Sequence, residues 1–443
     1  MRAPVELLVL GGVLASSGGC APLKGGADVG TTAETYYVAP SGSGSLCSQS
    51  APCRQIADAV KLVRAGDTIL VADGAYDAFE VAGLTGRVDA PITIQAQQGA
   101  ANVSASPQLQ DSITITNSFY VVVDGLNAGG ALHAGVGVTC SNNVTIRNGA
   151  FDGNAHCGVS ASFTADLEVS HNVMSAGARD GICVGGSSKR PAIAGNVVRD
   201  NGGAGITIDG EFGGSPATND CAWLAAGGQL DGETTNAVVE SNVIYSNGAT
   251  QGGAGINLDG VASSIVRNNL LYENLAGGIA SYQADGSSGP VGMEILGNTV
   301  VQAAGARQAL ELANTTGSNR IHDNIVCAPD TASPGFLFGA ESDITSVDSD
   351  YNVVDRFTIG DPTSSAPLTT LDLPTFQSKY QRDLHSVGGA TPARLFANAA
   401  AGDYSLASGS PAIGRGVYET DAPTDEAGKA RPLTAPDIGA LQH

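Results

Sequence analysis

The chain keeps returning to one short phrase. "NNVTIRNGAF" runs from Asn142 to Phe151, and close variants follow: "LEVSHNVMS" at Leu167, "AIAGNVVRD" at Ala192, "VVESNVIYSN" at Val238, "SIVRNNLLYEN" at Ser264, "EILGNTVVQ" at Glu294 and "RIHDNIVCA" at Arg320. Aligning the recurrent turn residue gives Asp124, Asn148, Asn172, Asn196, Asn242, Asn269, Asn298, Asn324 and Asn352, in steps of 24, 24, 24, 46, 27, 29, 26 and 28. A second marker follows most of them: a small residue, then alternating apolar positions. It reads "GVGVT" at Gly135, "GVSAS" at Gly158, "GICVG" at Gly181, "GITIDG" at Gly205, "GINLDG" at Gly255 and "GIASY" at Gly278. A period of this length means stacked units, none of which can bury its apolar face alone. The period within each unit is two, with β-branched residues, so the units are strands and not helices.

Three short strands and three turns per unit make one coil of a parallel β-helix, with coils ~4.8 Å apart. An Asn at the same turn of each coil can pass amide hydrogen bonds from coil to coil and satisfy inward backbone groups. The repeated Asn is therefore read as structural. Composition agrees. Sixty glycines suit many tight turns, and 5% aromatics are few for a bulky core. The net charge of −22 argues against nucleic acid or an anionic membrane surface as partner.

The first twenty residues, "MRAPVELLVLGGVLASSGGC", read as an export signal too short to span a bilayer. Cys20, directly after small residues, resembles the lipidation site of bacterial lipoproteins. Expected divisions are a signal at 1–20, a linker at 21–35, an N-terminal cap with the first coil at 36–90, coils at 91–357 with an insertion at 211–234, and a C-terminal capping segment at 358–443. Export makes disulfides expected. Cys47 and Cys53 are close enough to pair, and Cys183 with Cys221 is a candidate second bridge. Seven cysteines remain after Cys20, so at least one stays unpaired. No Cys-x-x-Cys pair or His cluster has zinc spacing; His133, His156 and His171 read as surface or capping residues.

Taken together, the repeats resemble the right-handed parallel β-helix proteins of bacterial surfaces, which include pectate and alginate lyases, polygalacturonases and epimerases. The implied class is all-β: a single-stranded right-handed parallel β-helix. The segment "TYYVAPSGSGSLCSQSAPCRQIADAVKLVRAGDTILVADGAY" is similar to the N-terminal cap of such proteins. Its stretch from Arg54 to Val63, with Ile56, Val60 and Val63 on one face, is expected to form a capping helix. The segment from Gly402 to Ala440 is similar to their C-terminal tails.

The scaffold hosts many activities, so function must be read from a site. In "GITIDG" and "GINLDG" the residues Thr207, Asp209, Asn257 and Asp259 point outward. If those coils are neighbours, Asp209 and Asp259 stand about 5 Å apart, with Tyr282 in the same column one coil on. Adjacent carboxylates suit a cation such as Ca²⁺, although Asp-Gly is also a common turn opening. The insertion leaves the coil after Asp209 and carries Trp223, a candidate for stacking on a sugar ring. Lys189 and Arg190 are the nearest basic pair and candidate bases for uronate β-elimination. Asp180 resembles a polygalacturonase Asp-Gly, but that family's neighbouring motifs are absent. The expectation is an exported, monomeric surface protein that acts on polysaccharide, lyase-like on a uronate-containing glycan. Any membrane link would run through the lipid anchor alone. The alternatives are non-catalytic glycan binding and a glycoside hydrolase using Asp209 and Asp259.

Overall fold

The computed structural model describes residues 32–210, 221, 228–328, 333–362 and 365–443. Cys20 and Trp223 lie outside them. Every coil gives one strand to each of three sheets. In one coil, Ala192–Ala194 belongs to the first sheet, Val197–Arg199 to the third and Ile206–Asp209 to the second. The first sheet stacks twelve strands, from Thr35–Val38 to Val347–Asp350, and the third stacks eleven, from Gly74–Tyr76 to Val353–Val354. The second runs from Phe79–Ala82 to Arg356–Ile359 and ends on Thr369–Asp372, which pairs antiparallel. Side chains alternate as the sequence requires: Ile206 and Ile208 are buried while Thr207 and Asp209 are half-exposed.

The marker glycine found at the start of several second-sheet strands answers to crowding. A Cβ on Gly205 would lie 2.5 Å from Ile244 Cγ2 and 2.6 Å from the Gly255 carbonyl oxygen. Coil stacking leaves no room there for a side chain.

An asparagine ladder runs through Asn172, Asn196, Asn242, Asn269, Asn298, Asn324 and Asn352. At each step the next Asn Oδ1 accepts from the backbone N–H and from Nδ2 of the one before, at 2.9–3.0 Å for the steps from Asn196 to Asn242 and from Asn242 to Asn269. The second Nδ2 hydrogen goes to a backbone carbonyl of the preceding coil, as from Asn242 to Ile193 at 2.9 Å. Asp124 and Asn148 do not belong to this ladder. Asp124 is in register with Arg147 and accepts from Arg147 and Asn148. Asn148 holds the left-handed corner, φ 57°, one residue before the ladder position. That position in its coil is Gly149, whose N–H reaches Asn172 Oδ1 at 2.9 Å. A second ladder follows the third sheet through Asn201, Asn247 and Asn274.

Both ends are covered, which removes the open edges a solenoid would otherwise expose. The N-terminal helix is Ile56–Val60, shorter than the Arg54–Val63 stretch expected; five residues span about a turn and a half. Ile56, Val60 and Val63 are all buried, so the expected face is the one that packs. At the other end the helix Leu373–Tyr380, N-capped by Asp372 through the Thr375 N–H, stacks Phe376 on Phe357 with ring centres 3.7 Å apart. The chain after it returns along the outer face of the third sheet. There Leu395, Phe396, Tyr404 and Ile438 pack on Leu270, Ile325 and Val353.

The cysteines pair as Cys47–Cys53, Cys140–Cys221 and Cys157–Cys183, and Cys327 is free and buried. The first bridge matches expectation; a Cys183–Cys221 bridge does not form. Cys221 reaches the corner that follows the strand Ala134–Thr139, where it packs with Cys140, Phe163 and Ala165. Cys183 lies instead within reach of Cys157, which begins the strand one coil below. No helix among the described residues is long and apolar enough to cross a membrane.

The returning tail docks through charge as well as apolar contact. Arg320 binds Glu294, Glu419 and Asp421, and Glu419 accepts from His322 at 2.7 Å. Burial disfavours the charged imidazole of His322, yet the Glu419 bond and charge raise its pKa overall. Asp323 accepts from the Val417 N–H at 3.0 Å. Burial pushes its carboxyl up to about 7, against the lowering pull of that N–H and of Arg431. The folded protein therefore holds the proton on Asp323 more tightly than the unfolded chain, whose ordinary value is 3.8. The stability this contributes is complete below about 4 and is lost as pH rises through about 7. Asp323→Asn should remove that loss. The difference in thermal midpoint, wild type minus variant, should decline between pH 4 and 8; a flat difference would contradict the assignment.

Candidate functional site

The outward face of the second sheet carries a cavity of about 650 Å³. Its floor comes from four consecutive coils: Thr207, Asn257, Ala280 and Glu311 are Cα partners in one column. Strand pleating points all four away from the core. Tyr282 enters from the neighbouring column, one coil above Asp259. Its hydroxyl donates to Asn257 Oδ1 at 3.1 Å. The wall at the strand starts holds Arg179, Asp180 and Arg307, and Asp361 and Asn314 complete the lining.

Each charged group there has a distinct setting. Asp180 accepts from the Ala204 N–H at 2.7 Å and from Thr207 Oγ1 at 3.0 Å. It reaches the next coil because Gly203 has no side chain; a Cβ there would lie 2.1 Å from Asp180 Oδ1. Arg307 is exposed and donates from Nη2 to the Gly253 carbonyl at 2.8 Å. Arg179 is exposed and has no ion-pair partner among the described residues. Burial raises the carboxyl pKa of Glu311, while Arg307 and a bond from Gln308 pull the other way. Burial likewise raises the Tyr282 phenol, against the Asn257 hydrogen bond.

The residues singled out in sequence divide between two places. Asn257 and Tyr282 line the cavity. Asp209 and Asp259 are Cα partners in adjacent coils, as the repeat register required. Asp259, however, is only 5% exposed, and its carboxylate accepts from the N–H groups of Ala284, Asp285 and Gly286 at 2.7, 3.0 and 3.3 Å. Such a carboxylate anchors a turn, and its lone pairs are largely taken. The pair does not fit a calcium site, which asks each carboxylate for free oxygens.

Lys189 and Arg190 lie at the turn leaving the second sheet, away from the cavity lining. Lys189 Nζ is held by Asp231 at 2.8 Å and by the Glu233 carbonyl at 2.8 Å. Arg190 forms a fork to Asp166 at 2.7 and 2.8 Å. The bond to Asp166 raises the Arg190 pKa, the opposite of what a base needs. Arg179, Arg307 and Glu311 were not singled out in sequence. Glu311 was within reach, since "ALELA" places it in the outward column.

A family model described as "Right handed beta helix region" matches residues 94–222. No curated protein is similar enough in sequence to count as a relative. Among solved structures, pectate lyase Pel9A superposes with a TM-score of 0.57 at 16% identity, covering 93% of this chain and 97% of that one. The complex of XylC with xylose superposes with a TM-score of 0.51 at 10% identity, covering 92% and 98%. Identities this low speak for the fold alone. The protein is a right-handed parallel β-helix, with a polar cleft built across four coils of one sheet.

Proposed function

We propose that the protein is an exported polysaccharide-active β-helix protein whose cleft takes a uronate-containing glycan and cleaves it by β-elimination. The observation that carries this reading is the cleft itself: two exposed arginines, Arg179 and Arg307, flank an open polar groove in a chain of net charge −22. The lining also holds Asp180, Glu311 and Asp361, so the two guanidiniums supply individual cationic contacts for a sugar carboxylate and not a net positive groove. The extended groove across stacked strands suits a chain-like ligand. The likeness in fold to a pectate lyase and to a xylose complex agrees with a sugar ligand, and three disulfides agree with an oxidising compartment.

In this mechanism Arg307 pairs with the uronate carboxylate and makes the C5 proton more acidic. Glu311 takes that proton, and its raised proton affinity suits the task better than an ordinary carboxylate. The C4–O bond breaks as the C4–C5 double bond forms. Tyr282, kept protonated, donates to the leaving oxygen. A second reading rests on the same raised carboxyl: Glu311 protonates a glycosidic oxygen and Asp180 activates water.

Products separate the two readings. On a panel of uronate and neutral polymers, elimination gives an unsaturated, ultraviolet-absorbing end with each new reducing end. Hydrolysis gives reducing ends without the absorbance. Glycan binding with neither product would leave a binding protein and sink both readings.

A further inference from the structure

A column of polar side chains leads out of the cleft toward the N-terminal end of the solenoid. Arg179, in the cleft wall, comes three residues before Ile182 on its coil. Ile182 stacks on Val159, and Val159 on Val136. His156 and His133 come three residues before those two valines, so Arg179, His156 and His133 share one position on consecutive coils. The His156 N–H donates to the His133 carbonyl at 2.9 Å, which fixes that register. Over the cleft the same position is held by the small residues Gly203, Gly253 and Ala276.

Both imidazoles are half-exposed, with ring centres 4.9 Å apart and planes tilted by 31°. Each ring covers a face of the other, which leaves their edges for solvent. Asp111 bonds His133 Nδ1 at 2.7 Å and accepts from the Ala134 N–H at 2.9 Å, so it orients the ring and its own charge is engaged. His156 Nδ1 lies 2.8 Å from Cys157 Sγ. Neither Nε2 has a hydrogen-bond partner among the described residues. One residue earlier on the same coils, Leu132, Ala155 and Ala178 are exposed and apolar. A row of ring nitrogens beside an apolar rail matches a sugar, which has hydroxyl edges and C–H faces. The far end of the cleft differs. Asp361 lines it two coils beyond Glu311 and adds to burial in raising that carboxyl, so an anionic chain is repelled there.

We propose that His156 and His133 are distal subsites that lengthen the cleft by two coils. A glycan seated over the second sheet continues past Arg179 along the solenoid axis and places one sugar residue on each coil. The coil step of ~4.8 Å is close to the length of one pyranose unit in an extended chain. The proposal rests on the reading of the cleft as a uronate-glycan site, and it gives that site a direction and a length.

The probes are oligogalacturonate and oligoalginate ladders from disaccharide to octasaccharide. They are titrated calorimetrically into the full-length Glu311→Gln protein, in which turnover is suppressed. Four coils of cleft floor hold about four sugar residues. A hexasaccharide should therefore bind about tenfold more tightly than a tetrasaccharide, the gain from hydrogen bonds to two further rings. Adding His133→Ala and His156→Ala together should bring that ratio to about one. Adding His171→Ala instead, an exposed imidazole at another corner, should leave it at about ten. A measurement without these histidine substitutions guards against misfolding: bound hexasaccharide should protect His133 and His156 from diethyl pyrocarbonate, and tetrasaccharide should not, as mapped on peptides. A hexasaccharide-to-tetrasaccharide ratio near one before the histidines are changed overturns the proposal and leaves the cleft reading standing. So do imidazoles that stay reactive under bound hexasaccharide, or a ratio that His171→Ala lowers equally. Failure of every oligomer to bind removes both.

Discussion

Asn242→Ala is expected to destabilise the solenoid by about 4 kcal/mol, although the residue touches no ligand and lies in a turn. The side chain makes contacts in both directions along the stack. Its Oδ1 accepts from the Asn196 N–H at 2.9 Å, and its Nδ2 donates to the Ile193 carbonyl at 2.9 Å. Asn242 is fully buried, so water cannot replace those partners. Alanine leaves one backbone donor and one backbone acceptor unpaired, at about 1–3 kcal/mol each, and adds a small void. Asn127 supplies the comparison. It makes similar bonds, to Gly99 O, Asn102 and the Ala150 N–H, but on the exposed face of the third sheet. Water replaces them there, and Asn127→Ala should stay within about 0.5 kcal/mol. Urea unfolding gives the two values, and hydrogen exchange at the Asn196 amide reports the local opening. Equal losses for the two variants would mean the ladder is not what holds the coils in register.

Much of this architecture was legible in the sequence because a solenoid repeats its constraints. A period near 24, alternating burial and a turn Asn in coil after coil point to one answer. The places where the reading slipped are physically telling. Asp124 and Asn148 share the look of the ladder residues, but each lies off the ladder position, and a one-residue shift at a corner exchanges a buried amide for a left-handed turn residue. The second ladder was written in the same phrases, as the final Asn of "VVRDN", "VIYSN" and "LLYEN". The stronger first series masked it.

The site was harder to read for a different reason. Register correctly put Asp209 over Asp259, but register says nothing about which neighbours a side chain will meet. Asp259 turned inward on the 284–286 turn, and Lys189 met an acid from the insertion. Arg179, Asp180 and Arg307 belong to corners whose lengths vary from coil to coil. Their convergence depends on how each corner folds back over the strand starts, and no periodicity encodes that. Sulfur pairing failed in the same way: Cys221 lies in the insertion, whose path the repeat does not dictate.

Glu311→Gln separates the cleft from the pocket first suggested by the paired aspartates. The substitution keeps size and hydrogen bonding but removes the proton-transfer group. Turnover on the cleaved polymer should fall by about 10²–10⁴-fold, the range of a lost general acid or base. Lys189→Ala should leave turnover nearly unchanged, since its ammonium serves Asp231 and a carbonyl. The reverse pattern would return the chemistry to the Asp209 side. The pH profile then assigns the role. If Glu311 is the base for elimination, it works ionised, and activity rises with pH through a value above the ordinary carboxylate range. If it is the acid of a hydrolase, it works protonated, and activity falls as pH rises through the same value. Glu311→Gln must erase that limb in either case. Arg307→Ala adds the substrate axis: it should raise KM for a carboxylated polymer far more than for the same polymer with its carboxyls esterified. Equal effects on both would remove the uronate from the proposal while leaving the cleft as the reacting site.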